Sequence, residues 1–227
     1  YISGKIFQDN NGNCVKDLGE YQIMNQYIRL DAANTSNNLY DRCIFSNSSG
    51  NYSAKYVLPD TYSLTNNDNI RTSTCPPASQ YSISIPTSTV NYPNKDFAMQ
   101  PIQIMEDVEL FRGCRMSEPR PGFNYGYGFN YKNIGTLLSD GYILITISDY
   151  ETFVSSSPMP DVYDPITKTL RYNYYTLMLG EVRSLDLIFN TPIPTLLGTQ
   201  YFHTLEAFTS STDPTPCLLY TSPSPRD

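Results

Sequence analysis

The stretch DNNGNCVKDLGE, residues 9–20, places acidic and amide side chains at alternate positions of a twelve-residue run. With Asp9 as its first position, side-chain oxygens fall at positions 1, 3, 5, 9 and 12, and position 7 offers a backbone carbonyl. This is the oxygen-donor pattern that Ca²⁺ prefers, and a final glutamate can bind it through both oxygens. The run therefore predicts a calcium loop with the ligands Asp9, Asn11, Asn13, Val15, Asp17 and Glu20.

The flanks of this loop decide the fold. SGKIF precedes it and YIRL follows it, and both are typical of β-strands, whereas an EF-hand loop lies between two helices. A helix-pair calcium sensor is therefore excluded. Cys14 stands at the sixth position, where a glycine normally provides a left-handed backbone. A hydrated Asn/Asp turn without metal stays open as the alternative.

Period-two alternation recurs along the rest of the chain. Tyr81, Ile83 and Ile85 share one strand face, as do Ile143, Ile145 and Ile147. Residues 1–99 form one set of such strands, 100–106 a linker, and 107–216 a second set of roughly seven strands, which is the pattern of an immunoglobulin-like sandwich. No segment carries a helical apolar stripe. We expect an all-β chain with two β-sandwich domains in series.

Composition narrows the function classes. The net charge is -7 and the basic residues are scattered, which disfavours nucleic acid as a partner. No run approaches the ~20 apolar residues of a membrane-spanning helix. The chain begins at Tyr1 without a visible signal peptide, and we expect it to be a fragment.

The last eleven residues, CLLYTSPSPRD (217–227), look like a translated sequencing adapter. We expect this tail to be artefactual and disordered, and the natural sequence to break off near Pro216. Four cysteines remain, at positions 14, 43, 75 and 114, and they allow three complete pairings.

The motifs of the first domain support a family resemblance. ISGKIFQDNNGNCVKDLGE (2–20), the Gly50-Asn51-Tyr52 strand and the Pro59-Asp60-Thr61-Tyr62 turn resemble the B-type repeat of serine-aspartate-repeat bacterial adhesins. That repeat belongs with the collagen-adhesin B-type, prealbumin-like sandwiches. The resemblance covers residues 1–99 and implies a stalk module, rigidified by calcium, on a secreted or surface protein. A subset of such loops carries a cysteine at the position of Cys14 and a partner late in the domain, which implies a Cys14–Cys75 disulfide.

The second domain is similar to an uncharacterised all-β domain of secreted Bacteroidota proteins. The motifs that carry this resemblance are Arg120-Pro121-Gly122-Phe123, Asn133-Ile134-Gly135-Thr136 and a later Gly180-Glu181 element. Such domains precede a sorting module of the type IX secretion route, so the resemblance implies secretion by that route.

Catalytic signals are weak. The single histidine, His203, stands in a Tyr/Phe-rich strand without a serine elbow or a cysteine motif, and we expect it on the strand surface. Two carboxylates could serve a glycosidase, but the acids in question fall in predicted turns or strand ends. They are Asp140, Asp149, Glu151, Asp161 and Asp164. We expect the aromatic ladder of alternate residues 125–131 to face the core.

Together these features predict a chain that is not an enzyme and has no catalytic residues. We expect a structural or adhesive stalk fragment of a secreted or outer-surface bacterial protein, with Ca²⁺ as a structural cofactor and an extracellular protein or glycan as its partner. The alternative is an ancillary binding module of a large extracellular hydrolase whose catalytic domain lies outside these residues.

Overall fold

A computed structural model describes residues 1–34, 42–87, 90–115, 117–196, 198–210 and 218–221. Within these ranges the chain forms strands and no helix, so the expected all-β class is confirmed. The strands, numbered in chain order, are β1 (Ile2–Gln8), β2 (Tyr27–Ala32), β3 (Arg42–Phe45), β4 (Asn51–Ala54), β5 (Asp60–Asn66), β6 (Arg71–Cys75), β7 (Gln80–Ile85), β8 (Phe97–Pro101), β9 (Val108–Arg115), β10 (Asn124–Asn133), β11 (Ser139–Thr146), β12 (Thr152–Ser157), β13 (Val162–Asp164), β14 (Thr169–Leu177), β15 (Val182–Asn190), β16 (His203–Thr209) and β17 (Leu218–Thr221).

The strands make four sheets in two compact units. The first unit comprises Tyr1–Ile104 with Met178–Glu181. It contains the sheets β4-β1-β8-β6 and β3-β2-β5-β7. β1 pairs antiparallel with β4 and parallel with β8, so it lies inside its sheet and fixes the start of the loop at residues 9–20.

The core of the first unit follows from the alternation in its strands. Ile28 and Leu30 of β2 point inward, and so do Leu64 of β5 and Ile83 and Ile85 of β7. Each fully buried side chain of this size contributes roughly 1.5–3 kcal/mol of transfer free energy. The period-two prediction for residues 81–85 is therefore confirmed at the two isoleucines, while Tyr81 is half-buried.

The second unit comprises Met105–Leu177 and Val182–Asp227 and contains the sheets β12-β15-β10-β9 and β13-β14-β11-β16-β17. The aromatic ladder of β10 faces its core, as predicted from the alternation with small residues. The isoleucines of β11 are buried with it. The buried ladder consists of Tyr125, Tyr127, Phe129 and Tyr131.

The C-terminal tail differs from the expectation of disorder. Leu218–Thr221 form β17, which pairs antiparallel with β16 from His203 to Glu206. The physical reason is that β16 would otherwise be the edge strand of its sheet, and that LLYT is rich in residues that favour strands. Residues 217 and 222–227 lie outside the described residues. In the described parts of the chain, no helix is long and apolar enough to span a membrane.

Candidate functional site

Asp9 organises the loop at residues 9–20. It follows β1 directly, and its side chain is buried with 0% exposure. Its Oδ1 accepts hydrogen bonds from the backbone N–H of Gly12 (2.7 Å) and Asn13 (3.2 Å). Its Oδ2 accepts from the N–H of Cys14 (3.0 Å) and the hydroxyl of Thr74 on β6 (2.6 Å). One carboxylate therefore folds the loop and ties it to a neighbouring strand.

Glu20 closes the other end of the loop. Its Oε1 accepts from the backbone N–H of Asn10 at 2.8 Å, and its Oε2 accepts from the N–H of Asp17 at 3.0 Å. The side chain is buried. Both oxygens of the predicted bidentate ligand are thus bonded to the loop backbone.

Three other predicted ligands meet at one point. The side-chain amides of Asn11 and Asn13 donate through Nδ2 to Oδ2 of Asp17, at 2.8 and 2.7 Å. Their Oδ1 atoms accept from the backbone N–H of Asn13 and Val15. The structure therefore gathers Asn11, Asn13 and Asp17, and engages Asp9 and Glu20 separately. No group of three His, Cys, Asp or Glu side chains able to hold a metal occurs within the described ranges.

The residues of the loop fit a hard cation in the kind of donor they offer. Every predicted ligand carries an oxygen, and Asp17 brings a charged one against two amides. For a cation beside Asp17, the amides of Asn11 and Asn13 would have to present oxygen where they now present nitrogen. Asp9 already accepts four hydrogen bonds, which is the full capacity of a carboxylate. Asp17 is therefore the carboxylate most able to take up a cation, and Asn11 and Asn13 would join it only by giving up the backbone hydrogen bonds that their Oδ1 atoms now accept.

Cys14 and Cys75 form a disulfide with a Cα–Cα distance of 5.7 Å. Cys75 is the last residue of β6, so the bond fastens the loop to the strand that also carries Thr74. Cys14 has φ 68°, a left-handed conformation that glycine adopts more readily than other residues. In the chain-entropy model, closing a sequence separation of 61 residues contributes about 4 kcal/mol to stability. Cys43 is exposed and free of a disulfide.

The pKa of Asp9 lies below its ordinary value. Burial acts to raise it, but the hydrogen bonds from Thr74 and from the N–H groups of Cys14, Gly12 and Asn13 together outweigh burial and lower the pKa. These bonds stabilise the ionised carboxylate in the folded protein. The first unit therefore gains stability from Asp9 only while this side chain is charged.

The second unit contains a buried polar cluster that the sequence interpretation missed. His203 was expected on a strand surface, but it is 0% exposed. The reason is its phase: in β16, His203 alternates with Leu205 and Ala207, which face the core. Its imidazole stacks on Phe189, with ring centroids 4.9 Å apart. The same period-two pattern, extended back by two residues from Leu205, was the signal that could have located it.

Glu151 is the partner of His203. It lies between β11 and β12, and its carboxylate contacts Nε2 of His203 through Oε1 and the hydroxyl of Tyr125 through Oε2. The N–H of Ser148 donates to Oε1 at 3.3 Å. The ammonium group of Lys168 donates to the carbonyl of Asp149 at 2.7 Å, close beside the cluster. No sequence motif marks Glu151. The sequence places it in a turn or at a strand end, and neither position indicates that its side chain is buried.

This cluster contains the acid and the base of a catalytic pair, but neither side chain is accessible to a substrate from solvent. Aromatic rings of Tyr127, Phe129 and Phe189 surround the imidazole. Both carboxylate oxygens of Glu151 are bonded, so the cluster is a satisfied buried polar network of the kind that specifies a unique core.

The remaining candidate acids bind nearby groups. Asp140 accepts from the N–H of Thr176 at 2.6 Å, and Asp161 accepts from the N–H of Asn173 at 2.7 Å. Asp164 accepts from the N–H of Ile166 at 2.8 Å, and Asp149 forms a 3.7 Å ion pair with Lys168. Asp140 and Asp161 thus bond the backbone of β14, Asp164 bonds the turn that follows it, and Asp149 makes an exposed surface pair.

Comparison with known proteins gives likenesses of low identity. No protein-family model and no curated protein sequence matches the chain. Among solved structures, it is similar to the major pilin SpaD of Corynebacterium diphtheriae (8% identity, TM-score 0.36, 97% of this chain and 64% of the pilin). It is also similar to BcpA, the major pilin subunit of Bacillus cereus (8%, 0.37, 97% and 66%). A DUF3823 family protein from Parabacteroides merdae is similar over 99% of this chain and 98% of its own, at 10% identity and a TM-score of 0.29.

The chain spans about two-thirds of the length of these pilins. These identities and TM-scores are too low to assign the chain to a family.

We predict that Asp9→Asn destabilises the first unit at neutral pH and flattens its pH dependence. Because the folded pKa of Asp9 is depressed, its stabilisation is present above the unfolded value of about 4 and is lost as the pH falls through the lower folded value. At pH 7 the loss should be about 1–3 kcal/mol, the usual cost of a lost charge-assisted bond. Urea unfolding between pH 2.5 and 7 measures it.

The matched control for this experiment is Asp186→Asn, which alters an exposed acid on β15 of the second unit. It should leave the pH profile of the first unit unchanged. Identical profiles for wild type and Asp9→Asn would contradict the role assigned to Asp9.

A second prediction concerns the buried cluster. Glu151→Gln should destabilise the second unit by about 1–3 kcal/mol, because its amide nitrogen places a donor where a carboxylate oxygen now bonds Tyr125 or His203. His203→Gln should cost less in the Glu151→Gln background than alone, with a coupling of about 1–3 kcal/mol. Hydrogen exchange of core amides in β10 and β16 reports it, with Glu206→Gln as control. Strictly additive losses would show that the two side chains do not interact.

Proposed function

We propose that this chain is a non-enzymatic spacer or adhesive segment of a secreted or cell-surface protein. The observation that carries the proposal is the double attachment of loop 9–20 to β6, through the Cys14–Cys75 disulfide and the Asp9–Thr74 hydrogen bond. A disulfide is stable in oxidising compartments outside the cytosol. A loop held at two points suits a module that transmits load or spacing better than one that opens around a substrate.

The second unit supports the same function through its polar groups. Its acid–histidine pair is enclosed by aromatic rings, and Asp140 and Asp161 bond backbone N–H groups of β14. Side chains of the types used in hydrolysis therefore have structural contacts in this unit. Because these carboxylates make structural contacts, they support a structural role for the second unit.

The bacterial setting extends this proposal on the strength of sequence motifs. The B-type repeat pattern of residues 2–20 supports an adhesin-like surface protein. The Arg120–Phe123 and Asn133–Thr136 motifs support a secreted Bacteroidota protein that uses the type IX route. We include both as part of the proposed function.

Calcium is part of the proposed function of the first loop. Asn11, Asn13 and Asp17 would hold the ion, and the carbonyl of Val15 would belong to the same set. The oxygens of Asn11 and Asn13 would give up hydrogen bonds to the loop backbone to do so. The same holds for Glu20 and Asp9, the other two predicted ligands. When bound, Ca²⁺ supplies positive charge to an acidic loop and stabilises the folded state by mass action.

We predict that Ca²⁺ raises the melting temperature of the oxidised chain relative to chelator. At a concentration of 100 times the dissociation constant, the gain should be about 2.7 kcal/mol, or several degrees for a domain of this size. Asp17→Asn should abolish the rise while leaving the melting temperature in chelator nearly unchanged, because the side chain of Asp17 makes only exposed hydrogen bonds and its backbone bond to Glu20 is retained. Calorimetry with and without Ca²⁺ is the measurement.

Asp17 is a better test position than Asp9, whose loss destabilises the loop whether or not metal is present. Asp186→Asn again serves as the matched control and should retain the full calcium response. Equal melting temperatures in Ca²⁺ and in chelator would refute calcium binding, and the spacer proposal would then rest on the disulfide and the Asp9–Thr74 hydrogen bond.

A further inference from the structure

The first unit has an open groove of about 540 Å³ beside β1 and β4. This volume falls within the range of about 300–1,000 Å³ that is usual for small-molecule sites. The groove lies on the described surface of one sandwich and is separate from loop 9–20. Its lining includes Lys5, Phe45, Asn47, Asn51, Asn94 and Asp96.

The groove offers hydrogen-bonding side chains without a net charge. Lys5 and Asp96 contribute one charge of each sign, and the three asparagines contribute neutral amides that both donate and accept. A site of this composition does not select an anion or a cation. It matches a neutral ligand with many hydroxyl groups.

Several of these polar groups are available to a ligand. Asp96, which lines the groove, accepts the backbone N–H of Lys5 through Oδ1 at 2.8 Å, and its Oδ2 has no hydrogen bond within the described residues. Within the described residues, the side-chain ends of Lys5, Asn51 and Asn94 have no hydrogen-bond partner. A ligand hydroxyl could therefore bind them without breaking an existing bond.

An aromatic ring stands at the margin of the groove. Phe45, the last residue of β3, is 59% exposed, and it makes an edge contact with Tyr27 at a centroid distance of 5.7 Å. That contact fixes the ring from one side. The apolar face of a sugar ring packs well on such a surface, because it removes apolar area from water while its hydroxyls remain bonded.

A peptide strand fits this groove less well than a sugar. β4 is the edge strand beside it, but the backbone N–H and carbonyl of Asn51 in β4 are already hydrogen-bonded to Asn47. The N–H of Asn47 donates to the carbonyl of Asn51 at 2.9 Å, and Oδ1 of Asn47 accepts the N–H of Asn51 at 3.0 Å. Strand addition needs those backbone groups to be open. At Asn51, the side chain and not the backbone therefore remains for recognition.

We infer that this groove binds a neutral oligosaccharide, with Phe45 packing on a sugar ring and Lys5, Asn51 and Asn94 bonding its hydroxyls. This role goes beyond that of a spacer and does not depend on calcium. It gives the first sandwich a ligand of its own.

Affinity electrophoresis of the oxidised full chain tests the inference, with xylan, mannan and mixed-linkage β-glucan as neutral polysaccharide probes and polygalacturonate as an acidic one. At least one neutral probe should retard the wild-type chain. Phe45→Ala and Lys5→Ala should each weaken retardation at least fivefold. The matched controls are Tyr56→Ala and Lys55→Ala, which remove exposed residues of the same kinds outside the groove lining and should bind as the wild type does.

Each outcome decides the matter. Absence of retardation by every neutral probe overturns the inference, as does retardation by polygalacturonate alone. Equal binding by the groove variants and the wild type places the ligand elsewhere and also overturns it. Retardation that persists in chelator shows that polysaccharide binding is independent of the calcium proposal. Circular dichroism of each variant shows that weakened binding does not come from unfolding.

Discussion

The buried carboxylate of Asp9 is the constraint on which the first unit depends. It stands where β1 ends, and it receives three backbone N–H groups from its own loop and a hydroxyl from β6. A charge at such depth is unfavourable unless it is fully hydrogen-bonded, and here it is. The bonds to Asp9 therefore define the loop conformation, and that conformation places Cys14 within reach of Cys75.

The second unit uses a buried carboxylate in a comparable way. Glu151 connects the segment before β12 to β10 through Tyr125 and to β16 through His203. In both units an acid just outside a strand binds groups that are distant in sequence, so it specifies which segments meet. Apolar contacts alone specify this less well, because many arrangements of side chains bury similar areas.

The strands and the inward faces could be predicted from the sequence because period-two alternation reports directly on burial. The β10 ladder and the isoleucines of β7 and β11 follow it closely. His203 follows it too, and the expectation of an exposed histidine was wrong because residue type was given more weight than phase. The C-terminal tail was expected to be disordered because it resembles a translated adapter. Its LLYT segment nevertheless has a high strand propensity and pairs with β16.

The loop at residues 9–20 shows what a donor pattern leaves undetermined. The sequence specifies how many oxygens the loop carries, but not whether each oxygen binds an ion or a backbone N–H. Asp9, Glu20 and the Oδ1 atoms of both asparagines accept backbone N–H groups, while the amide nitrogens of Asn11 and Asn13 converge on Asp17. The disulfide and the bonds of Asp9 hold the inner part of the loop, and an ion of the kind proposed would act on the outer part around Asp17. The loop is therefore held in place by two contacts within the protein, the disulfide and the hydrogen bonds of Asp9. A bound metal would add a third.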